Sequence, residues 1–387
     1  MKTKGENCVK IVISMDSFKG SLSAREAGMA AKEGILRVYP EADIEVSALA
    51  DGGEGTVRTI VEATGGSFER VTVSDPLGRP VTAEYGVIGD TETVVMEMAE
   101  ASGLTLLRED ERDPLRTSTF GFGEMIADAI GKGYRDFIVG IGGSATNDGG
   151  FGMLRALGFE FLDRDGKPIM LGAGGLRDLC SIETKNAMKA LFDCRFSVAC
   201  DVKNPLCGEN GCSAVFAPQK GASPEAVREM DGLLARYAEL TYALFGRDLS
   251  SNEGSGAAGG LGFAFLAYLN ASLRSGAQTV IEATSLEKKI MDADILITGE
   301  GKLDMQSFMG KAPVEAARIA KKYGKKVIAF AGAVSVSSDH EDSAIDAFFP
   351  IVGGACTLAE AMDKKNAERN MRRTAEQAFR LLKSFSF

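Results

Sequence analysis

Val9-Lys10-Ile11-Val12-Ile13-Ser14-Met15 is an apolar run of strand length, typical of a sheet covered on both faces. The polar segment DSFKGS follows it directly, and a capping box then starts a helix at Ser23–Glu26. A second strand is predicted over residues 43–50. A second helix is predicted over residues 56–64, where Gly65 and Gly66 stop it. The chain therefore opens as β-α-β-α.

The same alternation returns near the carboxyl end of the chain. A strand is predicted over residues 295–298, and Pro313 suits the first position of the next helix. Strands over residues 327–331 and 347–351 follow, and a charged helix closes the chain. Together with the opening segment they predict an α/β fold, a doubly wound parallel sheet of five strands with helices on both faces. If the strand order is the flavodoxin-like 2-1-3-4-5, the crevice lies between the carboxyl ends of the first and third strands.

The middle of the chain has a different pattern. Short strand-like pieces over residues 68–99, separated by turn residues, predict an antiparallel meander. A second α/β stretch follows it, with long helical patterns over about residues 224–245 and 257–272. A chain of 387 residues is also too long for one ordinary core. We therefore predict two domains, a discontinuous flavodoxin-like domain (1–66 and 287–387) and an inserted mixed α/β domain (67–286).

Composition restricts the possible partners and the compartment. The formal charge is −10, and no stripe of Lys or Arg occurs, which argues against nucleic acid as a partner. No apolar run approaches the roughly 20 residues that span a bilayer, and the first residues do not form a signal peptide. We therefore expect a soluble, cytoplasmic protein without a membrane partner. Nothing in the sequence specifies an oligomeric state.

The number and spacing of the cysteines and histidines argue against several kinds of catalytic and metal site. The seven cysteines are an odd number, as expected for reduced thiols. Four of them fall between Cys194 and Cys212, so a zinc site is an alternative, but their spacing contains no CxxC pair. Ordinary thiols are the better interpretation. With His340 as the single histidine, Ser-His-Asp triads and HExxH zinc chemistry are excluded.

Four polar, glycine-rich loops are the main candidates for function. Their glycines allow close approach to a ligand, and their carboxylates, hydroxyls and lysines suit phosphates and Mg²⁺. None is a Walker A loop, since none ends in GK[ST]. The four loops are Asp16–Ser21, Asp51–Thr56, Gly140–Gly150 and Thr298–Ser307, the last followed by Gly310–Pro313.

Three of the four loops also have a plainer interpretation, and the third, Gly140–Gly150, is only moderately specific as a glycine-rich loop. The serines of the first loop could be helix caps and Lys19 a solvated charge. The second loop could be a tight turn with an acidic first helical turn, and the fourth a helix start with solvated charges. A further segment, Gly254–Gly260, serves close helix packing as readily as nucleotide binding. A carboxylate at Asp201 follows another strand-like stretch.

Phosphoryl transfer is a chemistry that these residue types can support. It depends on positioning, Mg²⁺ and cations, with an Asp to accept the proton of the hydroxyl. The near absence of histidine therefore does not count against it.

In this order, the motifs resemble those of the bacterial glycerate kinase family usually called class II. Seven motifs in sequence are a highly specific match. They are DSFKGSLSA at Asp16–Ala24, ADGGEGT at Ala50–Thr56, GIGGSATNDGG at Gly140–Gly150, CDVKNPL at Cys200–Leu206, FAPQKGA at Phe216–Ala222, GSGAAGGLG at Gly254–Gly262 and TGEGKLDMQSFMGKAP at Thr298–Pro313.

The resemblance implies ATP- and Mg²⁺-dependent phosphorylation of D-glycerate, giving 2-phosphoglycerate, in a cleft between a flavodoxin-like domain and an inserted domain. Within the motifs, we assign Asp16, Lys19 and Asp51 to glycerate and Asp201 to the general base. The residues assigned to the nucleotide are Gly142, Gly143, Ser144, Asn147, Gly256, Gly259, Gly299, Lys302 and Lys311. The residues assigned to the metal are Asp148, Glu300 and Asp304.

Two other functions are compatible with the same loops. One is a kinase for another small hydroxy acid or sugar acid. The other is a ligand sensor that kept the loops and lost turnover, against which the intact set of carboxylates argues. A scaffold has no use for so many polar loops at strand ends.

Overall fold

The computed structural model describes residues 8–47, 49–50, 53, 55–89, 91–305, 307–335 and 344–385. By their contacts the residues form two compact units, one of residues 1–51 with 280–387 and one of residues 52–279. We call them the discontinuous unit and the inserted unit. No helix in these ranges is both long and apolar enough to span a membrane.

Strands and helices alternate along most of the chain. The strands are β1 (Lys10–Met15), β2 (Asp43–Val46), β3 (Ser67–Ser74), β4 (Pro80–Val87), β5 (Val94–Glu97), β6 (Asp136–Gly140), β7 (Glu160–Leu162), β8 (Ser181–Glu183), β9 (Arg195–Ala199), β10 (Ser272–Arg274), β11 (Ile295–Leu303), β12 (Lys326–Val334) and β13 (Ala347–Pro350). The helices are α1 (Ala24–Leu36), α2 (Thr56–Thr64), α3 (Ala99–Ser102), α4 (Phe120–Gly131), α5 (Phe151–Ala156), α6 (Cys212–Phe216), α7 (Pro224–Phe245), α8 (Ala257–Tyr268), α9 (Gly276–Ala283), α10 (Leu286–Asp292), α11 (Ala312–Lys322), α12 (Leu358–Met362) and α13 (Lys364–Phe385).

The discontinuous unit contains a five-stranded parallel sheet in the order β13-β12-β11-β1-β2. This is the predicted flavodoxin-like order, and it places β1 beside β11, with Ile13 opposite Ile297. On one face Ile11, Ile13 and Met15 are buried in a core with residues of α1 and α13. Helix α11 packs against β11 and β12, and Val12 and Leu296, which alternate with that core, are buried as well. Both faces of the sheet are therefore covered, as the apolar strands require.

The inserted unit contains a six-stranded mixed sheet in the order β10-β9-β6-β5-β4-β3. Strands β3, β4 and β5 form the predicted antiparallel meander, whereas β5, β6, β9 and β10 run parallel. The rings of Phe137 and Phe196 stack at 4.8 Å between centroids in the core of this unit. The carboxyl ends of the four parallel strands thus lie along one edge of the sheet.

The packing of α2 explains where along the chain the boundary between the two units lies. We expected the boundaries at 66/67 and 286/287, whereas the contacts divide the chain at 51/52 and 279/280. Helix α2 packs against β4 and β5, and a Cβ at Gly86 of β4 would lie 2.2 Å from Val61 Cγ2 of α2. The helix therefore belongs with the inserted sheet, although its sequence continues the opening β-α-β-α pattern.

Candidate active site

In the discontinuous unit, the predicted loop after β1 meets the second half of β11. We expected a strand over residues 295–298 with a loop from Thr298 onwards, whereas β11 continues to Leu303 because it pairs with β12 up to that residue. The Asp16 backbone N–H donates to Gly299 O at 2.9 Å, and the Asp16 carboxylate accepts from the Ser17 N–H at 2.6 Å. A Cβ at Gly301 would lie 3.5 Å from Phe18 Cα. Lys19 is exposed on this loop. We call Asp16–Ser21 with Gly299–Lys311 the β1–β11 cluster.

Two lysine–carboxylate pairs lie on the β11 side of the β1–β11 cluster. Lys311, which precedes α11, lies 3.1 Å from Glu300 Oε2, and exposed Lys302 lies 3.1 Å from Asp304 Oδ2. Glu300 is 5% exposed. Within the described residues, its buried Oε1 has no hydrogen-bond partner. Since a buried carboxylate oxygen is costly to leave unpaired, Glu300 has an oxygen available for a metal ion or a ligand proton.

In the inserted unit, the glycine-rich loop Gly140–Gly150 follows β6. Gly142 and Gly143 are exposed and Ser144 is half-buried, whereas Asn147 and Asp148 are fully buried. The Asn147 amide donates to Ser213 Oγ at 2.8 Å. Its Oδ1 has no hydrogen-bond partner in the described part of the chain. The exposed first half of the loop is thus the part that a ligand can reach.

The segment Gly254–Gly260 packs directly on this loop. Gly259 has φ +69°, and a Cβ there would lie 2.1 Å from Thr146 O. The Gly256 N–H donates to Asn204 O at 2.9 Å, and a Cβ at Gly256 would lie 2.2 Å from Pro205 O. The glycines permit these approaches between backbones. Three predicted motifs therefore meet, and we call Gly140–Gly150, Cys200–Leu206 and Gly254–Gly260 the β6–β9 cluster.

Asp201 lies just beyond the carboxyl end of β9. Its side chain is exposed, and its Oδ1 accepts from the N–H of Gly276, the first residue of α9, at 3.0 Å. An exposed carboxylate at this edge of the sheet is accessible to a substrate hydroxyl.

Asp148 differs from the other carboxylates because hydrogen-bond donors of Thr119 and Gly150 already occupy its oxygens. It accepts from the Thr119 N–H at 2.9 Å, from Thr119 Oγ1 at 2.9 Å and from the Gly150 N–H at 3.0 Å. Burial raises the pKa of this carboxyl, and the bonds from Thr119 and Gly150 oppose that shift. These contacts join the start of α4 to the loop before α5, and they favour a structural role over the metal-ligand role predicted from sequence.

Two further charged residues support the loops and were not among the predicted site residues. The Glu97 carboxylate, at the end of β5, accepts from the Val57 N–H at 2.9 Å and the Gly55 N–H at 3.3 Å at the start of α2. The Lys220 ammonium donates to Ser144 Oγ at 2.7 Å and to Thr146 O at 2.6 Å. Lys220 could have been identified from the sequence because it lies in the motif FAPQKGA. Glu97 could have been identified because it is an acidic residue at the end of an apolar strand.

The loop Asp51–Thr56 is described only in part. Gly53 lies beside the glycine-rich loop, and a Cβ at Gly142 would lie 3.8 Å from Gly53 Cα. Asp51, which we assigned to glycerate, lies outside the described residues.

The cysteines show the features of ordinary thiols. All seven are free, and burial raises the pKa of Cys212 to about 12. Among the described residues, no group of three or more His, Cys, Asp or Glu side chains is arranged to hold a metal ion.

Comparison with known proteins gives one consistent result. The model of the glycerate kinase family matches residues 11–383. A glycerate kinase of Bacillus subtilis is 46% identical over 95% of this chain and 96% of the relative. The glycerate 2-kinase of Escherichia coli K12 is 45% identical over 91% of this chain and 93% of the relative. A crystal structure from Salmonella typhimurium LT2, assigned as glycerate kinase 2, has a TM-score of 0.90 at 46% identity and covers 98% of this chain and 99% of that one.

Proposed function

Because this chain belongs to the glycerate kinase family, we propose that it transfers the γ-phosphoryl group of ATP to D-glycerate. The products are 2-phosphoglycerate and ADP, formed by in-line transfer. The observation that carries the proposal is the family match over residues 11–383. The name of the Escherichia coli relative supports the 2-hydroxyl as acceptor.

The β6–β9 cluster is the proposed binding site for ATP. Gly142 and Gly143 expose their backbone, and Ser144 adds a hydroxyl, so the loop can donate several hydrogen bonds to phosphate oxygens. Asn147 anchors the loop from below through Ser213. Gly256 and Gly259 permit a second loop to pack against it. Close packing of the two loops keeps the donors in place before the nucleotide arrives.

The β1–β11 cluster is the proposed site for the metal and for further phosphate contacts. The unpaired Oε1 of Glu300 fits an oxygen ligand for Mg²⁺, and Asp304 supplies a second carboxylate. When bound, the ion neutralises charge on the phosphates. Lys302 and Lys311 can exchange their carboxylate partners for phosphate oxygens. Gly299 allows β11 to lie close to β12, since a Cβ at Gly299 would lie 2.1 Å from Phe330 O.

The acceptor hydroxyl requires a base and a means of holding the glycerate. We assign the base to Asp201, whose Oδ1 is oriented by the Gly276 N–H. We assign Asp16, Lys19 and Asp51 to glycerate, with the Lys19 ammonium attracting its carboxylate or the transferred phosphoryl group. We further propose that the enzyme works in the cytoplasm without nucleic acid, consistent with its free thiols and its formal charge of −10.

Product analysis tests the proposal. The purified chain is incubated with ATP, Mg²⁺ and D-glycerate, ADP release is followed with and without glycerate, and phosphorus NMR identifies the phosphorylated carbon. We expect glycerate-dependent ADP and phosphate on carbon 2. Phosphate on carbon 3 would refute the proposed regiospecificity, and a preference for another hydroxy acid would identify a different substrate. Ligand binding without any ADP release would favour the sensing function.

A further inference from the structure

Lys220 is a fully buried lysine that none of the roles above uses. It lies in the short 3-10 turn Pro218–Lys220 of the inserted unit, between α6 and Gly221, and its side chain is 1% exposed. Lysine is among the residues least often buried completely, because its ammonium loses hydration. A buried ammonium therefore calls for a specific explanation.

The contacts of Lys220 are concentrated on the glycine-rich loop. Its Nζ donates to Ser144 Oγ at 2.7 Å and to the backbone oxygen of Thr146 at 2.6 Å. These two acceptors lie on either side of Ala145, directly after the exposed glycines. One side chain thus fixes both the direction of the Ser144 hydroxyl and the peptide unit that follows Thr146.

The hydrogen bonds of Lys220 do not account for its charge. Both acceptors are neutral, and although the nearby Asp148 carboxyl favours the charged form, burial still lowers the pKa of Lys220. A buried positive charge behind a loop does, however, lower the energy of an anion in front of it, and the low polarity of the interior strengthens that effect.

We infer that Lys220 is a positioning residue for phosphoryl transfer, which holds the loop Gly142–Asn147 in its phosphate-binding conformation and adds a fixed positive charge behind it. This inference rests on the proposed assignment of that loop to ATP. Lys220 itself does not touch the reacting atoms, since it lies beneath the loop and not on its exposed side.

The acid–base behaviour of Lys220 provides a test that a merely structural residue would not pass. Burial lowers the pKa of Lys220 to about 8, opposed by the neighbouring Cys212 thiol and the Asp148 carboxyl. A group with that pKa is about nine-tenths charged at pH 7 and about one-tenth charged at pH 9. The charge behind the loop is therefore lost as the pH rises through 8, so ATP and ADP should bind more weakly at pH 9.

The experiment compares the full-length enzyme with Lys220→Arg and Lys220→Met, and with Lys132→Met as control. Lys132 is in the same unit, but it precedes β6 at the opposite end of that strand and pairs with Asp128 at 2.8 Å. We measure kcat, KM for ATP and KM for glycerate at pH 7 and pH 9, and ADP affinity by calorimetry. We expect Lys220→Met to raise KM for ATP at pH 7 by about 10-fold or more, the effect of a charge-assisted contact. KM for glycerate should change less than about 2-fold.

The pH dependence separates charge from shape. ADP affinity of the unmodified enzyme should fall between pH 7 and pH 9, and that fall should disappear in Lys220→Arg, whose guanidinium stays charged, and in Lys220→Met. Lys132→Met should retain it. If Lys220→Met does not fold, the pH profile of the unmodified enzyme and of Lys220→Arg still decides the matter.

Two outcomes distinguish this inference from the assignment on which it rests. The proposed role of Lys220 would be overturned if Lys220→Met had unchanged KM values and the same fall in ADP affinity between pH 7 and pH 9 as the unmodified enzyme. A rise in KM for glycerate in place of KM for ATP would support the positioning role and refute the assignment of the loop to the nucleotide.

Discussion

At the scale of single residues, burial separates carboxylates that the sequence treats alike. Asp148 and Glu300 both belong to glycine-rich motifs and are both buried. Thr119 and Gly150 supply donors to the carboxylate of Asp148, whereas Glu300 keeps one oxygen unpaired within the described residues. Asp148 therefore has the contacts of a structural group, whereas Glu300 has an oxygen that could bind a metal ion.

Replacing Asp148 tests that distinction. Asp148→Ala should lower the free energy of unfolding by about 3 kcal/mol or more, because it leaves the Thr119 and Gly150 donors buried without an acceptor. The measurement is urea denaturation. The control, Asp165→Ala at an exposed turn position, should change stability by less than about 0.5 kcal/mol. A stable Asp148→Ala protein that has lost only Mg²⁺ dependence would restore Asp148 as a metal ligand.

For Lys19 we expect the opposite case, a charge that contributes to turnover more than to folding. Lys19→Ala should lower kcat/KM at least about 100-fold, since an exposed ammonium at the end of β1 is proposed to neutralise anionic substrate groups. Its melting temperature should stay near that of the unmodified enzyme. The comparison is Lys365→Ala on α13, also exposed, which should keep full activity. Near-normal turnover in Lys19→Ala would contradict our assignment of this loop.

The candidate site residues could be proposed from their types and positions, but the neighbours of each could not be predicted. Glycines, carboxylates and lysines directly after apolar strands indicate a binding edge, and the loops after β1, β6 and β9 lie at such strand ends. That Asp148 is surrounded by donors depends on Thr119, 29 residues earlier in the chain. No local pattern contains that information, and the same holds for the approach of Lys220 to Ser144 across 76 residues.

At the scale of elements, α8 is the clearest departure from its sequence pattern. Its apolar spacing predicted an ordinary helix over residues 257–272, yet Ala258, Gly259 and Gly260 have left-handed backbone angles and the helix ends at Tyr268. The first turn is reshaped because Gly259 must approach Thr146 O. Helical periodicity reports the buried face of a segment, so it does not reveal a turn that a neighbouring loop imposes.

A pair of glycine substitutions tests that close approach. Gly259→Ala should destabilise the protein by about 2 kcal/mol or more, because the new Cβ meets Thr146 O at 2.1 Å and a left-handed alanine is strained. It should also raise KM for ATP. Gly232→Ala on α7, where no atom lies within 4 Å of the new Cβ, should raise stability by up to about 1 kcal/mol. Equal effects of the two substitutions would show that the packing at Gly259 is not essential.

Long helices and strands were predicted more successfully than short strands. The capping box at Ser23 and Glu26 and the bounds of α7 are as predicted, because caps and helical spacing are local. The alternation of strands and helices predicted that the strands around β1 are parallel, and their order is the flavodoxin-like one that we considered. The three-residue strands β7, β8 and β10 were not predicted, since a strand of that length contains too few residues to show an alternating pattern.

At the scale of the whole molecule, the proposed ligands should protect different parts of the chain. Backbone hydrogen exchange measured with ADP should slow in Gly140–Gly150 and Gly254–Gly260, within the inserted unit. Glycerate alone should slow exchange in Asp16–Ser21 of the discontinuous unit. Bound ligand suppresses local opening of the segments it contacts. Protection by ADP confined to the discontinuous unit would contradict the assignment of the β6–β9 cluster to the nucleotide.

The pairing of β1 with β11 also has a consequence for synthesis on the ribosome. Lys10 bonds to Asp294 across 284 residues, so β1 has no central partner until that length has been translated, on the order of 15 to 60 s at bacterial rates. The inserted unit is continuous in sequence and can fold during this interval. Strand β1 can meanwhile pair only with β2, so its other edge stays open, and an open apolar strand edge of this kind invites aggregation. We therefore expect a chaperone that covers the open edge of β1 during synthesis to raise the yield of active enzyme.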